Sequence, residues 1–105
     1  MRLVFTQPAA DDLEDIIDYI ALDNPPAAKR VYQAIAAAAE RLRNLPHIGR
    51  PGRLPGTREL SVVSLPYIVV YQVDADTVTV LAVFHGARDL PRALRERRES
   101  LEDGE

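Results

Sequence analysis

The chain has 105 residues, a formal net charge of −3 and no cysteine. It is long enough for one domain with one core, here expected over residues 1–105, and without cysteine it has no disulfide framework, thiolate metal site or cysteine nucleophile. No apolar run approaches the ~18 residues of a membrane span and the N-terminus lacks the apolar stretch of a signal peptide, so a cytoplasmic protein that keeps off membranes is expected.

Arg2 to Thr6 is a short apolar run, consistent with a first strand. Thr6 or Gln7 then meets Pro8, a common first-turn residue of a helix. Leu13, Ile16, Ile17 and Ile20 follow at helical spacing. Asp11, Asp12, Glu14 and Asp15 crowd what reads as the first turns, where acidic groups suit the helix dipole. Asn24 before Pro25 ends this helix and caps a second. The second carries Ala28, Val31, Ile35, Ala38 or Ala39, and Leu42, and its AIAAAAE centre lets a neighbour approach closely. Together the two helices read as an antiparallel hairpin.

The stretch NLPHIGRPGRLPGTRE holds three prolines and three glycines and reads as an irregular loop. Three strand signals follow, at Glu59–Val63, Tyr67–Val73 and Thr77–Phe84, the last two joined by a turn at DAD. The closing DLPRALRERRESLEDGE starts with a cap-like Asp89 and a helical stripe of Leu90, Leu94 and Leu101. Its acidic end, about residues 99–105, is expected to fray. The expected fold is therefore α+β, in the order β-α-α-β-β-β(-α), with the helix hairpin packed on a small, mainly antiparallel sheet. Leu13, Ile16, Ile17, Ile20, Val31, Ile35, Leu42, Val69, Tyr71, Val80 and Val83 are the expected core.

Charge is unevenly spread. Residues 1–40 balance at −4, residues 41–98 at +5 and residues 99–105 at −4. The basic stretch uses arginine throughout, which suits bidentate contact with carboxylates or phosphates. Arg50, Arg53, Arg58, Arg88, Arg92 and Arg95 are candidates for one partner-binding surface. Pairing with Asp11, Asp12, Asp15 and Asp18 of the same chain is the plainer alternative. A nucleic-acid binder is usually basic overall, and this chain is not. With only His47 and His85 and no cysteine, no metal site or other cofactor is expected. No phosphate loop and no serine elbow is present. Tyr71, Arg58, His85 and Arg88 could together supply proton transfer and phosphate binding for metal-free RNA cleavage. The plainer reading, and the favoured one, is that the tyrosines pack in the sheet and His85 caps its last strand.

Several stretches carry a family resemblance. PAADDLEDIIDYIALDNPPAA, LPHIGRPGR, GTREL, PYIVVYQV and FHGARD, in this order and spacing, resemble the RelE/ParE superfamily of bacterial type II toxins over nearly the whole chain. The resemblance implies a toxin neutralised by a cognate antitoxin from the adjacent gene, in a hetero-oligomer that meets DNA only through the antitoxin. It also implies two branches. RelE-like members cut mRNA on the ribosome, whereas ParE-like members poison DNA gyrase. Where the ribonuclease branch has lysines, this chain has Glu59 and Ser61. Its strand arginine is matched by Ile68 and its C-terminal tyrosine by Leu94, and only Arg88 survives. FHGARD resembles the ParE-type ending. The resemblance therefore implies a gyrase-binding toxin with no confident catalytic residue. A diverged ribonuclease and a non-toxic antitoxin-binding relative are the alternatives.

Overall fold

Each helix opens on a polar side chain followed by proline. In the computed structural model, which describes residues 1–86, β1 (Arg2–Phe5) leads into α1 (Gln7–Ala21), and α2 follows at Pro25–Arg41. Thr6 Oγ1 accepts the Ala9 N–H at 3.2 Å, and Asn24 Oδ1 accepts the Ala27 N–H at 3.1 Å. Each satisfies a main-chain donor that the first helical turn leaves over. Because α1 begins at Gln7, its first turn holds no acidic residue. The cluster from Asp11 to Asp15 thus sits a turn further in than the dipole argument requires. The expected last helix and Arg88, Arg92 and Arg95 lie outside the described residues.

Four further strands follow, β2 (Arg50–Pro51), β3 (Arg58–Ser61), β4 (Tyr67–Val73) and β5 (Thr77–His85). They form one five-stranded sheet in the order β1-β5-β4-β3-β2. β1 runs parallel to β5, and the other neighbours are antiparallel. A parallel pair needs a long crossover, which the helix hairpin provides. The α+β expectation thus holds, with one addition, because β2 forms inside the segment that composition marked as irregular. Pro51 suits that edge, where its missing N–H goes unused.

The main core lies between the hairpin and one face of the sheet. Ile35, Leu42, Val69, Tyr71, Val80 and Val83 are at most 1% exposed, each contributing on the order of 1.5–3 kcal/mol of transfer free energy. Leu13, Ile16, Ile17, Ile20 and Val31, expected in the same core, are only half-buried. Leu13, Ile16 and Val31 pack against the rim of that core, and Leu13 and Ile17 border an open groove. The other sheet face carries a smaller cluster of Ile68, Val70, Ala82 and Phe84, with Leu54 of the loop packed against it.

Val80 and Val83 could not share a face in a regular strand, since side chains alternate. A β-bulge resolves this. Val70 pairs with Ala82 and Tyr71 with Val80, so Leu81 has no partner on β4. Beyond it the facing of β5 reverses. β1 has ended by then, and the start of α1 takes over that edge. Thr6 Oγ1 donates to the Leu81 carbonyl at 3.4 Å, and Asp12 Oδ2 accepts the Val83 N–H at 3.0 Å. Asp12→Ala should destabilise the protein by about 1–3 kcal/mol, because it strands a partly buried donor. Asp11→Ala, on the exposed side of the same turn, should change stability by no more than about 0.5 kcal/mol. Urea denaturation of the two variants checks the contrast.

Candidate functional site

The loop from Asn44 to Thr57 is organised by two buried polar side chains from the sheet. On the helix side, Tyr71 Oη donates to the Pro46 carbonyl at 2.8 Å and accepts the Gly49 N–H at 2.9 Å. A methyl group at Gly49 would sit 2.6 Å from that oxygen, so only glycine lets the loop approach so closely. Burial raises the Tyr71 hydroxyl above the ordinary phenol range, while the Gly49 N–H and the Arg58 charge pull it partly back. On the opposite face, the Glu59 side chain is completely buried. Its Oε1 meets Arg50 Nη2 at 3.0 Å and Arg53 Nε at 3.7 Å, and its Oε2 accepts the Arg53 main-chain N–H at 2.9 Å. Arg50 also donates to Ser61 Oγ at 3.3 Å.

The sheet therefore divides the arginines expected on one surface. Arg50 pairs in register with Glu59, and Glu59 with Val70, placing them on the face of the smaller apolar cluster. Arg58 pairs with Tyr71 and Pro51 on the helix side. The intrachain partner of Arg50 and Arg53 is Glu59 rather than the acids of α1.

The residues weighed for proton transfer do not converge. Arg58 and Tyr71 are cross-strand neighbours, but Tyr71 is fully buried and its hydroxyl is committed to the loop. His85 pairs with Tyr67 at the other end of β4, about 13 Å along the strand at ~3.3 Å per residue. It is exposed, with its ring edge-on to Tyr67 at a centroid distance of 5.8 Å. Among the described residues no group of three or more His, Asp or Glu could hold a metal, and no helix is long and apolar enough to cross a membrane.

A second feature lies along the hairpin. Adjoining hollows of about 290 and 240 Å³ run between β1 and the helices, floored by Leu3, Phe5, Leu13, Ile17, Tyr32 and Ala36. Glu14, Asp18 and Glu40 stand among their walls. β1 is an outer strand of the sheet, so this groove adjoins a main-chain edge that no other strand among the described residues pairs with. Small residues on α2 and half-buried residues of α1 thus line a surface that the periodicity argument assigned to the core.

A family model for the ParE toxin of type II toxin–antitoxin systems matches residues 3–90. The chain belongs to this family. It is 40% identical over 93 residues to Y4kP of Sinorhizobium fredii, covering 89% of this chain and 96% of that one. It is 37% identical over 87 residues to toxin RelE2 of Caulobacter vibrioides, covering 83% and 97%. Among solved structures, the chromosomal ParDE system of Pseudomonas aeruginosa superposes with a TM-score of 0.69 at 27% identity, covering 81% of this chain and 95% of that chain. The RelBE2 toxin–antitoxin complex of Mycobacterium tuberculosis superposes with a TM-score of 0.59 at 28% identity, covering 80% and 95%. The protein is thus a type II toxin of the RelE/ParE superfamily, as its motif order implied.

Tyr71→Phe should cost about 1–3 kcal/mol, because it leaves the Gly49 N–H unsatisfied. The sign of the pH effect follows from the raised phenol. The neutral hydroxyl is favoured in the folded state, so its contribution is intact below the ordinary phenol value of about 10 and is lost as pH rises through the higher folded value. Phenolate absorbance should show one of the four tyrosines ionising late in the wild type, and that step should vanish in Tyr71→Phe. Glu59→Ala should also cost about 1–3 kcal/mol by urea denaturation, mainly by stranding the Arg53 N–H. The half-exposed guanidiniums themselves add little.

Proposed function

We propose that this toxin arrests growth by binding and poisoning DNA gyrase, and that a cognate antitoxin encoded beside its gene neutralises it. The observation that carries this reading is the state of the sheet face where the ribonuclease branch would place cations and proton donors. Glu59 stands there buried, with its charge taken up by Arg50 and Arg53. Ile68 is part of an apolar cluster with Val70, Ala82 and Phe84. Among the described residues such a face offers a phosphodiester only Arg50 and Arg53, both tied to Glu59, and no positioned acid or base, each worth ~10²–10⁴ in rate. It suits a toxin that acts by holding a protein. The match to a ParE family model supports the same branch.

The antitoxin is expected to present a segment that orders on binding. The apolar groove between β1 and the hairpin supports a docking place for it, with half-buried anchors and an adjacent strand edge that is open among the described residues. The complex would be a toxin–antitoxin hetero-oligomer, and contact with DNA would come through the antitoxin.

A second reading is favoured by the similarity to toxin RelE2 and to a RelBE2 toxin. In it the protein cuts mRNA on the ribosome, with Arg88 as the surviving cation. Induced expression separates the two readings. Gyrase poisoning predicts a DNA-damage response, filamentous cells and inhibition of supercoiling by the purified protein, with mRNA left full-length. Codon-specific cuts in ribosome-bound mRNA, abolished by Arg88→Ala, would establish the ribonuclease reading instead. Normal growth at high expression would leave an antitoxin-binding relative without toxicity.

A further inference from the structure

Arg58 differs from the other two arginines of this region. Arg50 and Arg53 share the Glu59 carboxylate, whereas no carboxylate among the described residues pairs with Arg58. Its Nη1 donates to the carbonyls of Gly49 at 2.9 Å and His47 at 3.3 Å. These contacts fix the guanidinium while leaving Nη2 and Nε without an acceptor among the described residues. The side chain is half-buried and lines a cleft of about 300 Å³ with His47, Pro51, Gly56, Thr57 and Val73. Pro51 and Val73 make its apolar walls, and His47 is exposed. The Thr57 hydroxyl is turned away, donating to the Leu54 carbonyl at 2.7 Å.

A guanidinium held in place, partly dehydrated and still carrying unused donors, binds an oxyanion at small entropic cost. Charge and topology select the kind. The cleft lies in the stretch that balances at +5, within a chain of net charge −3, and a nucleic acid needs several phosphate contacts where this cleft offers one arginine and one histidine. The bordering strand β2 is an edge, but Pro51 removes a main-chain donor there. A partner must therefore be held at this end by a side chain rather than by strand addition. We infer that Arg58 and His47 form a receptor for a carboxylate side chain on an acidic segment of a protein partner. This goes beyond the growth-arrest reading and does not depend on whether gyrase is the target.

The test is a nuclear magnetic resonance titration of the isotopically labelled full chain with hexaglutamate, with inorganic phosphate and with hexathymidylate. Hexaglutamate should cause saturable shifts centred on the amides of Gly49, Gly56, Thr57 and Arg58. Arg58→Lys keeps the charge but loses the fork, and should weaken binding by about tenfold. His47→Gln should weaken it several-fold, and this variant decides alone if Arg58→Lys does not fold. Arg30→Gln, at an exposed position on α2, should leave it unchanged. Shifts spread over all exposed arginines, or equal weakening by Arg30→Gln, would overturn the inference. Tighter binding of phosphate or hexathymidylate through the same amides would overturn the choice of carboxylate. Failure of gyrase inhibition with intact hexaglutamate binding would sink the growth-arrest reading and leave this one standing.

Discussion

Leu81 has no partner on β4, and this single extra residue sets which side chains of β5 meet the helices. Before it, Val78 and Val80 point into the main core. After it, Val83 does, and Ala82 and Phe84 join the opposite cluster. A bulge leaves main-chain groups unpaired. Here they fall where β1 has stopped, so the cap of α1 and its second turn can reach them. Thr6 therefore serves both a helix terminus and a strand. The seating of α1 on the sheet, the reversal of β5 and the division of the protein into two apolar clusters depend on one another.

The two sheet faces have different chemistry as a result. The helix side carries the large core, the Tyr71 anchor and Arg58. The other side carries a compact apolar cluster beside a buried carboxylate that two arginines neutralise. Buried charges survive only when paired and hydrogen-bonded, and Glu59 meets both conditions. In doing so it ties both nearby arginines and the Arg53 main chain to the sheet.

Much of the fold was legible because its signals are local. Thr6 with Pro8 and Asn24 with Pro25 mark helix starts within a few residues, and the i, i+3, i+4 spacing of α1 and α2 is dense enough to read. What failed to show depends on distant pairing. After Val80 every residue to Phe84 is apolar, so alternation vanishes where the bulge occurs. Arg50 and Pro51 become a strand only because Gly49 fits against Tyr71, 22 residues away. The pairing of Glu59 is not legible in the sequence, because a four-residue strand cannot reveal that two arginines six and nine residues earlier fold back over it. His47 was set aside as a metal ligand. Its place across the same proline-glycine loop from Arg58 was the signal that it could serve a different purpose. The groove along the hairpin was half legible, since the stripe of α1 predicts an apolar face but not whether the protein's own sheet covers it.

The parallel pairing of β1 with β5 has a consequence for how the protein is made. Arg2 aligns with Thr77 and Phe5 with Val80, so the first strand to be synthesised waits for the last described strand before it has a neighbour in the sheet. Such long-range pairing slows folding, because the loop must close before the contact stabilises it. At ~5–20 residues per second, translation takes about 4–15 s to pass from Phe5 to its partner Val80. Until then the nascent chain has β2, β3 and β4 but not β5, the strand that β1 pairs with, and the bulge that seats α1 does not exist.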